Sequence, residues 1–305
     1  MRAIVTGGSG FIGSHVVDSL VDSGLDVGVV DLFTAPHRDD VDHIKCSIVD
    51  LAALEQAFEG VDYVFHLAAV ANVNDAFDNP LGCVELNVQG TANVLEAARR
   101  QKVKRVIFAS TVWVYSGSRG DEVNEDSPFF VPDAGHIYTS TKLAGELLCH
   151  DYKALYDLDF TILRYGIPYG PRMRDSLIIS IFINRAMKGQ TLTIMGDGKQ
   201  HRNFIYIEDL ARAHVLVLDD KAANQIYNLE GLRQITVEDV ANGVRDAMGD
   251  DVVIEYVPAR PGDYRGKEVS AEKALSELNW TPTVEFDEGM QRTVEWFRAN
   301  RKPSS

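Results

Sequence analysis

This sequence predicts a doubly wound α/β fold, a mainly parallel sheet covered by helices on both faces and followed by a smaller C-terminal lobe. Three observations carry that expectation. Short strands, apolar throughout, alternate with helix-spaced segments from the start of the chain to about residue 165, and such strands belong in a parallel sheet buried on both sides. A glycine-punctuated turn, TGGSGFIG (6–13), joins the first strand to the first helix. Beyond Gly166 the alternation breaks at Pro168, Pro171, Gly189, Gly196 and Gly198, which marks a second, less regular lobe.

The elements follow in order. Ile4-Val5 close a first apolar strand, Gly7, Gly10 and Gly13 form the turn, and His15 to Ser23 carry helical spacing. Val27 to Val30 make a second strand that ends on Asp31. Glycines allow a tight turn and a close backbone approach to a pyrophosphate, whose charge is favoured at a helix N-terminus. An acid about 20 residues beyond the turn accepts hydrogen bonds from a ribose diol and repels a 2′-phosphate. The whole is a Rossmann-type nucleotide site with GxxGxxG spacing, and Asp31 points to NAD over NADP. Ile44 to Val49 reads as the next strand, Leu51 to Phe58 as a helix, Tyr63 to Ala69 as a buried strand and Val84 to Arg100 as one long helix. Val106 to Ser110, the helix Tyr138 to Tyr156 and the strand Phe160 to Arg164 complete the series. A domain over 1–165 is therefore expected to bind NAD, with a returning segment near 199–227, and 166–305 to form mainly a substrate-binding lobe. That lobe holds a helix over Ile178 to Lys188 and a segment, Val253 to Arg265, rich in Pro, Gly and Arg.

Composition excludes several classes. With 305 residues, 45% hydrophobic and 25% charged, the chain reads as an ordinary globular protein. A net charge of −15 argues against nucleic acid, which calls for a basic face. No apolar run approaches the roughly 18 residues of a membrane span, and MRAIVTGG enters the first strand without a signal-like n- and h-region. Cys46, Cys83 and Cys149 are scattered and lack CxxC spacing, the pattern of thiols in a reducing cytoplasm. His136 and His201 show no metal-ligand spacing, and no metal is expected.

Chemistry is expected at Thr111, Tyr138 and Lys142. Tyr138 and Lys142 are four apart in a helical stretch and share one face. They are the chain's only Tyr/Lys pair at this spacing. An ammonium there favours the phenolate and makes tyrosine usable as an acid–base near neutrality. The preceding strand ends FAST, so Ser110 and Thr111 bring hydroxyls to the same sheet edge.

At this point the sequence resembles the extended short-chain dehydrogenase/reductase family, and within it the nucleotide-sugar epimerases and dehydratases. The resemblance spans essentially the whole chain and rests on TGGSGFIG (6–13), Asp31, Asp50-Leu51, HLAA (66–69), Asn87, VIFAST (106–111), YTSTK (138–142), LRYGIPYGPR (163–172), RNFIYIEDLA (202–211) and RPGD (260–263). It implies Thr111 as hydroxyl partner, Tyr138 as acid–base, and Lys142 as its electrostatic helper that also binds the nicotinamide ribose. The cofactor NAD would be held by Gly7, Gly10, Phe11, Ile12, Gly13, Asp31, Leu67, Ala68, Ala69, Asn87, Tyr138 and Lys142, with Asp50 and Leu51 flanking adenine. Substrate contacts are implied for Ser110, Thr111, Arg174, Arg202, Arg260 and Asp263. Arginine forks suit the diphosphate of a UDP-sugar. The family's long helices also imply a homodimer, though the same apolar faces are compatible with ordinary core.

Which reaction follows depends on the neighbours of Thr111. The family's dehydratases carry Asp-Glu after the catalytic Thr, and its decarboxylases carry Glu two residues beyond it. Here those positions are Val112 and Trp113, neither able to transfer a proton. With no extra acid there, the reading is an NAD-dependent 4-epimerase of a UDP-hexose or UDP-hexuronate. A decarboxylase, 4,6-dehydratase or ketoreductase, and a non-catalytic NAD-binding regulator, are the other readings. Arg174 falls where uronate epimerases carry a carboxylate-binding arginine, or is a loop arginine. Trp113 shapes the sugar pocket or packs in the core. Gly166-Ile167-Pro168 departs from the asparagine usual in this family. His66 reads as a core histidine near the cofactor.

Overall fold

The computed structural model describes residues 1–33, 37–120, 122–130, 135–258 and 268–301. The chain runs β1 (Arg2–Thr6), α1 (Phe11–Asp22), β2 (Asp26–Asp31), β3 (Asp42–Lys45), α2 (Leu51–Ala57), β4 (Tyr63–His66), α3 (Val73–Asp78) and α4 (Pro80–Val84). A π-helical turn, Glu85–Gln89, leads into α5 (Gly90–Arg100), β5 (Arg105–Thr111), a 3-10 turn at Val112–Tyr115, β6 (Glu122–Val123), α6 (Ile137–Tyr156), β7 (Asp159–Tyr165) and β8 (Ile167–Tyr169). Then come α7 (Ile178–Met187), β9 (Leu192–Met195), β10 (His201–Tyr206), α8 (Ile207–Leu216), β11 (Gln225–Leu229) and β12 (Gln234–Thr236). The last elements are α9 (Val237–Met248), β13 (Ile254–Val257), β14 (Glu268–Val269), α10 (Glu272–Leu278) and α11 (Phe286–Asn300).

Two compact units result. The first comprises Met1–Tyr165, Ala211–Leu229 and Val269–Trp280; the second comprises Gly166–Leu210, Glu230–Glu268 and Thr281–Ser305. The first is built on a seven-stranded sheet of order β11-β7-β5-β4-β1-β2-β3, parallel at every pairing. Val64, Val106, Phe108 and Ile162 from its strands pack with Leu54, Val94, Leu95 and Ala98 of α2 and α5 in one core. The chain winds outward in opposite directions from β1 and β4, so the crevice above these neighbours is the switch point where doubly wound sheets bind ligands.

Two elements depart from the periodicity. The strand expected over Ile44 to Val49 lies at Asp42–Lys45. Ser47 closes a turn instead, its carbonyl accepting from the Asp50 N–H and its hydroxyl from the Val49 N–H. The helix expected as one piece over Val84 to Arg100 begins earlier, where Asn79 caps Gly82 and Pro80 sets the first turn, and is interrupted by the π turn at Glu85–Gln89. Spacing of apolar residues cannot register a one-residue widening of the helix, and such turns commonly mark functional positions.

In the second unit β8 and β10 pair in parallel, β12 joins β10 antiparallel, and β9 pairs with β13. Tyr169, Phe204, Tyr206 and Phe286 form its aromatic centre. The Asp209 carboxylate accepts from the backbone N–H groups of Thr283 and Val284, at 2.9 Å each, and ties down the approach to α11.

Candidate active site

Because the first unit's strands all run one way, their carboxyl ends gather the expected residues on a single edge. The glycine turn follows β1, Asp31 ends β2, Leu67–Ala69 follow β4 and Thr111 ends β5. Thr111, Tyr165 and Leu229 lie in one row across β5, β7 and β11.

The glycine turn is shaped by what it excludes. Gly7 has φ +74°, and a Cβ there would stand 2.7 Å from the Ala68 nitrogen. A Cβ on Gly13 would stand 2.1 Å from the Gly7 carbonyl oxygen. Gly10 caps α1 and offers no side-chain cap to its first turn, which leaves Phe11, Ile12 and Gly13 to present the helix-opening N–H groups to an anion. Asp31 accepts from the Ser9 N–H at 3.0 Å and the Phe33 N–H at 3.2 Å, which fixes its carboxylate beside the turn with lone pairs remaining for a diol. A cradle closed to side chains, a helix N-terminus and an acid beside them fit a dinucleotide. Asp50 serves first as the cap of α2, accepting from Ala53 N–H at 3.1 Å, and Leu51 opens that helix.

Asn87 sits in the π turn and binds its neighbours from every side. Its carbonyl accepts from Val70 N–H at 2.8 Å, and its amide donates to Val70 O and to Thr141 Oγ1 at 3.0 Å each. It therefore clamps the loop Leu67, Ala68, Ala69, Val70 to α6. His66 is a buried core residue, as its strand position suggested. Thr91 donates to Asn87 O, so its oxygen accepts from His66 Nε2–H, and Nδ1 is left to accept from Thr6. Burial, then the Lys142 charge, pushes this imidazole down to about 3, which removes it as a base.

The helix α6 carries Tyr138, Lys142 and Glu146 on one stripe. Its cap is His136, whose Nδ1 accepts from the Thr139 N–H at 3.3 Å. The His136 ring stacks on Tyr138, centroids 6.0 Å apart, and meets Trp113 at 5.5 Å. Trp113 thus belongs to an aromatic group beside Tyr138. Lys142 is buried; Nζ donates to Ala109 O at 2.7 Å and lies 4.9 Å from the Phe108 ring centroid. Burial pushes its ammonium down to about 8. Thr111 Oγ1 accepts from the Trp113 N–H at 3.2 Å.

Ser110 behaves differently from its neighbour. Its hydroxyl donates to Glu146 at 2.5 Å, and Glu146 receives a two-pronged bond from Arg164 at 3.0 and 2.7 Å. Arg164 also donates to Tyr115 Oη, which donates to Asn228 at 2.9 Å. Ser110 is therefore tied into a buried network beneath the edge and does not turn its hydroxyl to a substrate. Sequence spacing did not single out Glu146 or Arg164; the only signal was Glu146 continuing the Tyr138–Lys142 stripe. In the second unit, Arg174 is exposed ahead of α7, its carbonyl accepting from Ser180. Arg202 is half-buried on β10 and donates to His201 O. Arg260 and Asp263 lie outside the described residues. Among the described residues no cluster of His, Cys, Asp or Glu is arranged for a metal, and no helix is long and apolar enough to cross a membrane.

With this geometry in place, comparison with known proteins is decisive. The model of the NAD dependent epimerase/dehydratase family matches residues 3–229. The chain belongs to that family. Its cofactor is NAD, and the Gly7–Gly13 cradle with Asp31 fits it. A putative UDP-glucose 4-epimerase of Methanocaldococcus jannaschii is 32% identical over 98% of this chain and 99% of its own length. A UDP-N-acetyl-alpha-D-glucosaminuronate decarboxylase of Bacillus cytotoxicus is 33% identical over 97% and 98%. The crystal structure of Thermus thermophilus UDP-glucose 4-epimerase in complex with NAD superposes with a TM-score of 0.88 at 33% identity, covering 98% of this chain and 100% of that one. The relatives are enzymes acting on nucleotide sugars, and they differ in reaction class.

Proposed function

We propose that this chain is a nucleotide-sugar 4-epimerase that inverts C4 of a UDP-hexose or UDP-hexuronate through a transient 4-keto sugar. The observation that carries this reading is the turn after Thr111. Its first residues are Val112 and Trp113, and Trp113 presents a backbone N–H to Thr111 and a ring to His136. No side chain there can protonate a departing hydroxyl or assist loss of a carboxylate, so the ketone's simplest fate is return of hydrogen to its opposite face.

In this reading Tyr138 accepts the C4 hydroxyl proton and later returns it. Thr111 Oγ1, already accepting from Trp113, keeps its own O–H to donate to the C4 oxygen. The Lys142 charge favours the phenolate, and Ala109 O and the Phe108 ring hold it in place. NAD, when bound, supplies the reversible two-electron oxidation at C4. The Gly7–Gly13 turn holds its pyrophosphate, Asp31 its ribose diol, Asp50 and Leu51 its adenine, while Asn87 acts by clamping the 67–70 loop. Arg202 and Arg260 are assigned to the substrate diphosphate, Asp263 to the nucleoside ribose, and Arg174, exposed in its loop, to a hexuronate carboxylate. Three free, buried cysteines support a cytoplasmic setting.

A homodimer is part of the same proposal. Phe77 of α3 and Leu81 of α4 are 81% and 82% exposed, and Leu147 and Leu155 of α6, which packs beside both helices, are exposed as well. An apolar surface of this kind calls for a partner. Sedimentation equilibrium should give twice the chain mass; a monomer at micromolar concentration removes the dimer.

The function is tested by incubating the purified protein, without added cofactor, with UDP-glucose and UDP-glucuronate and identifying products by NMR. A C4-inverted sugar is expected. A pentose or a 4-keto-6-deoxy sugar would overturn the epimerase reading. Tyr138→Phe should lower kcat at least a hundredfold, within the range general acid–base catalysis supplies, with NAD content unchanged.

A further inference from the structure

Glu230 is a buried acid with no role in the proposed C4 chemistry. It follows Leu229, the last residue of β11, and the row Thr111–Tyr165–Leu229 crosses the carboxyl edge of the sheet. The residues next in the chain after Tyr165 and Leu229 are Gly166 and Glu230. Glu230 is 5% exposed, and among the described residues its Oε2 has no hydrogen-bond partner. That oxygen occupies the space a side chain on residue 166 would need: a Cβ on Gly166 would stand 2.3 Å from it and 3.3 Å from the Asn203 carbonyl. The missing side chain of Gly166 is what makes room for the carboxyl. Burial pushes the group up to about 8, against the Gly231 backbone N–H, and among the described residues no charged side chain contributes. At neutral pH it therefore carries its proton and can donate as well as accept. A buried polar atom without a partner is costly and rare, and it calls for a reason such as a functional role or a bound group that completes it.

We propose that Glu230 is a substrate-contacting residue whose carboxyl O–H donates a hydrogen bond to an acceptor oxygen of the bound nucleotide sugar. This rests on the nucleotide-sugar reading. The acceptor belongs to the diphosphate or to the hexose; both are anionic or oxygen-rich groups that a neutral carboxyl can approach and a carboxylate would repel or fail to donate to.

The test compares the full-length wild type with Glu230→Ala and Glu230→Gln at pH 7, using the sugar nucleotide the wild type turns over, and calorimetric binding of UDP. Glu230→Ala should raise KM at least tenfold and change kcat less than threefold, and Glu230→Gln, which keeps a donor of similar shape, should bring KM back to within threefold. UDP affinity falling in step with KM assigns the oxygen to the diphosphate; unchanged UDP affinity assigns it to the hexose. KM within twofold of wild type in a folded Glu230→Ala protein overturns the proposal. If that variant does not fold, pH profiles decide: a wild-type KM that rises above pH 8 while the Glu230→Gln value stays flat supports the contact, and parallel profiles overturn it. Binding of UDP-sugars without turnover removes only the epimerase reading, and the variants are then ranked by Kd. No binding of UDP or UDP-sugars by the wild type removes both.

Discussion

Two buried glutamates, Glu146 and Glu230, are 3% and 5% exposed and differ in nearly everything else. Glu146 accepts three bonds, two from Arg164 and one from Ser110, and Arg164 is itself stacked against Tyr115 and Phe129. Glu230 has an oxygen with no partner among the described residues and a proton held on by burial. Burial alone therefore says little about purpose. A saturated pair fixes geometry, here that of β5, α6 and β7 beneath Thr111, whereas an unsaturated group stores the capacity to bind something else.

The largest effect that would break this comparison is on stability. Glu146→Ala leaves the Arg164 guanidinium buried with Tyr115 Oη still accepting from it, and removing one member of a buried pair costs about 3–5 kcal/mol. Urea denaturation should show a loss of that order, and a loss below about 1 kcal/mol would mean that the pair is no more than an exposed one in effect.

A smaller, pH-dependent effect sharpens the other side. The Glu230 carboxyl stands above its unfolded value of 4.5, at about 8. Between those values the unfolded chain has lost a proton that the folded chain keeps. Its contribution to stability is thus fully present below about pH 4.5 and falls by about 1.4 kcal/mol per pH unit as pH rises toward 8. Glu230→Gln has no such slope. Denaturation of both proteins at pH 6, 7 and 8 should show the variant gaining steadily on the wild type; parallel stability curves would show that Glu230 is ionised when folded.

How much was readable beforehand differs by residue. The Gly7–Gly13 turn and Asp31 were legible because their geometry is set by the backbone and by neighbours within one βαβ unit. Tyr138 and Lys142 were legible because helical spacing puts them on one stripe. The Ser110 hydroxyl was not: from the sequence it looked equivalent to that of Thr111, and only the packing of α6 against β5 gives it to Glu146. Asn87 was marked by resemblance alone, and its task of holding the 67–70 loop depends on a π turn that residue spacing does not encode. Glu230 carried no signal, since its meaning comes from an absent side chain 64 positions earlier, at Gly166.

The sequence by itself determined the doubly wound class, the glycine turn, the acid that ends β2 and the Tyr/Lys stripe. Each is written in local periodicity or in backbone requirements that only particular residues meet. The tertiary structure decided which polar groups are saturated and which are left over. That depends on strands far apart in sequence, β5, β7 and β11, lying side by side and on the volume each side chain leaves its neighbours, quantities that exist only once the sheet has formed.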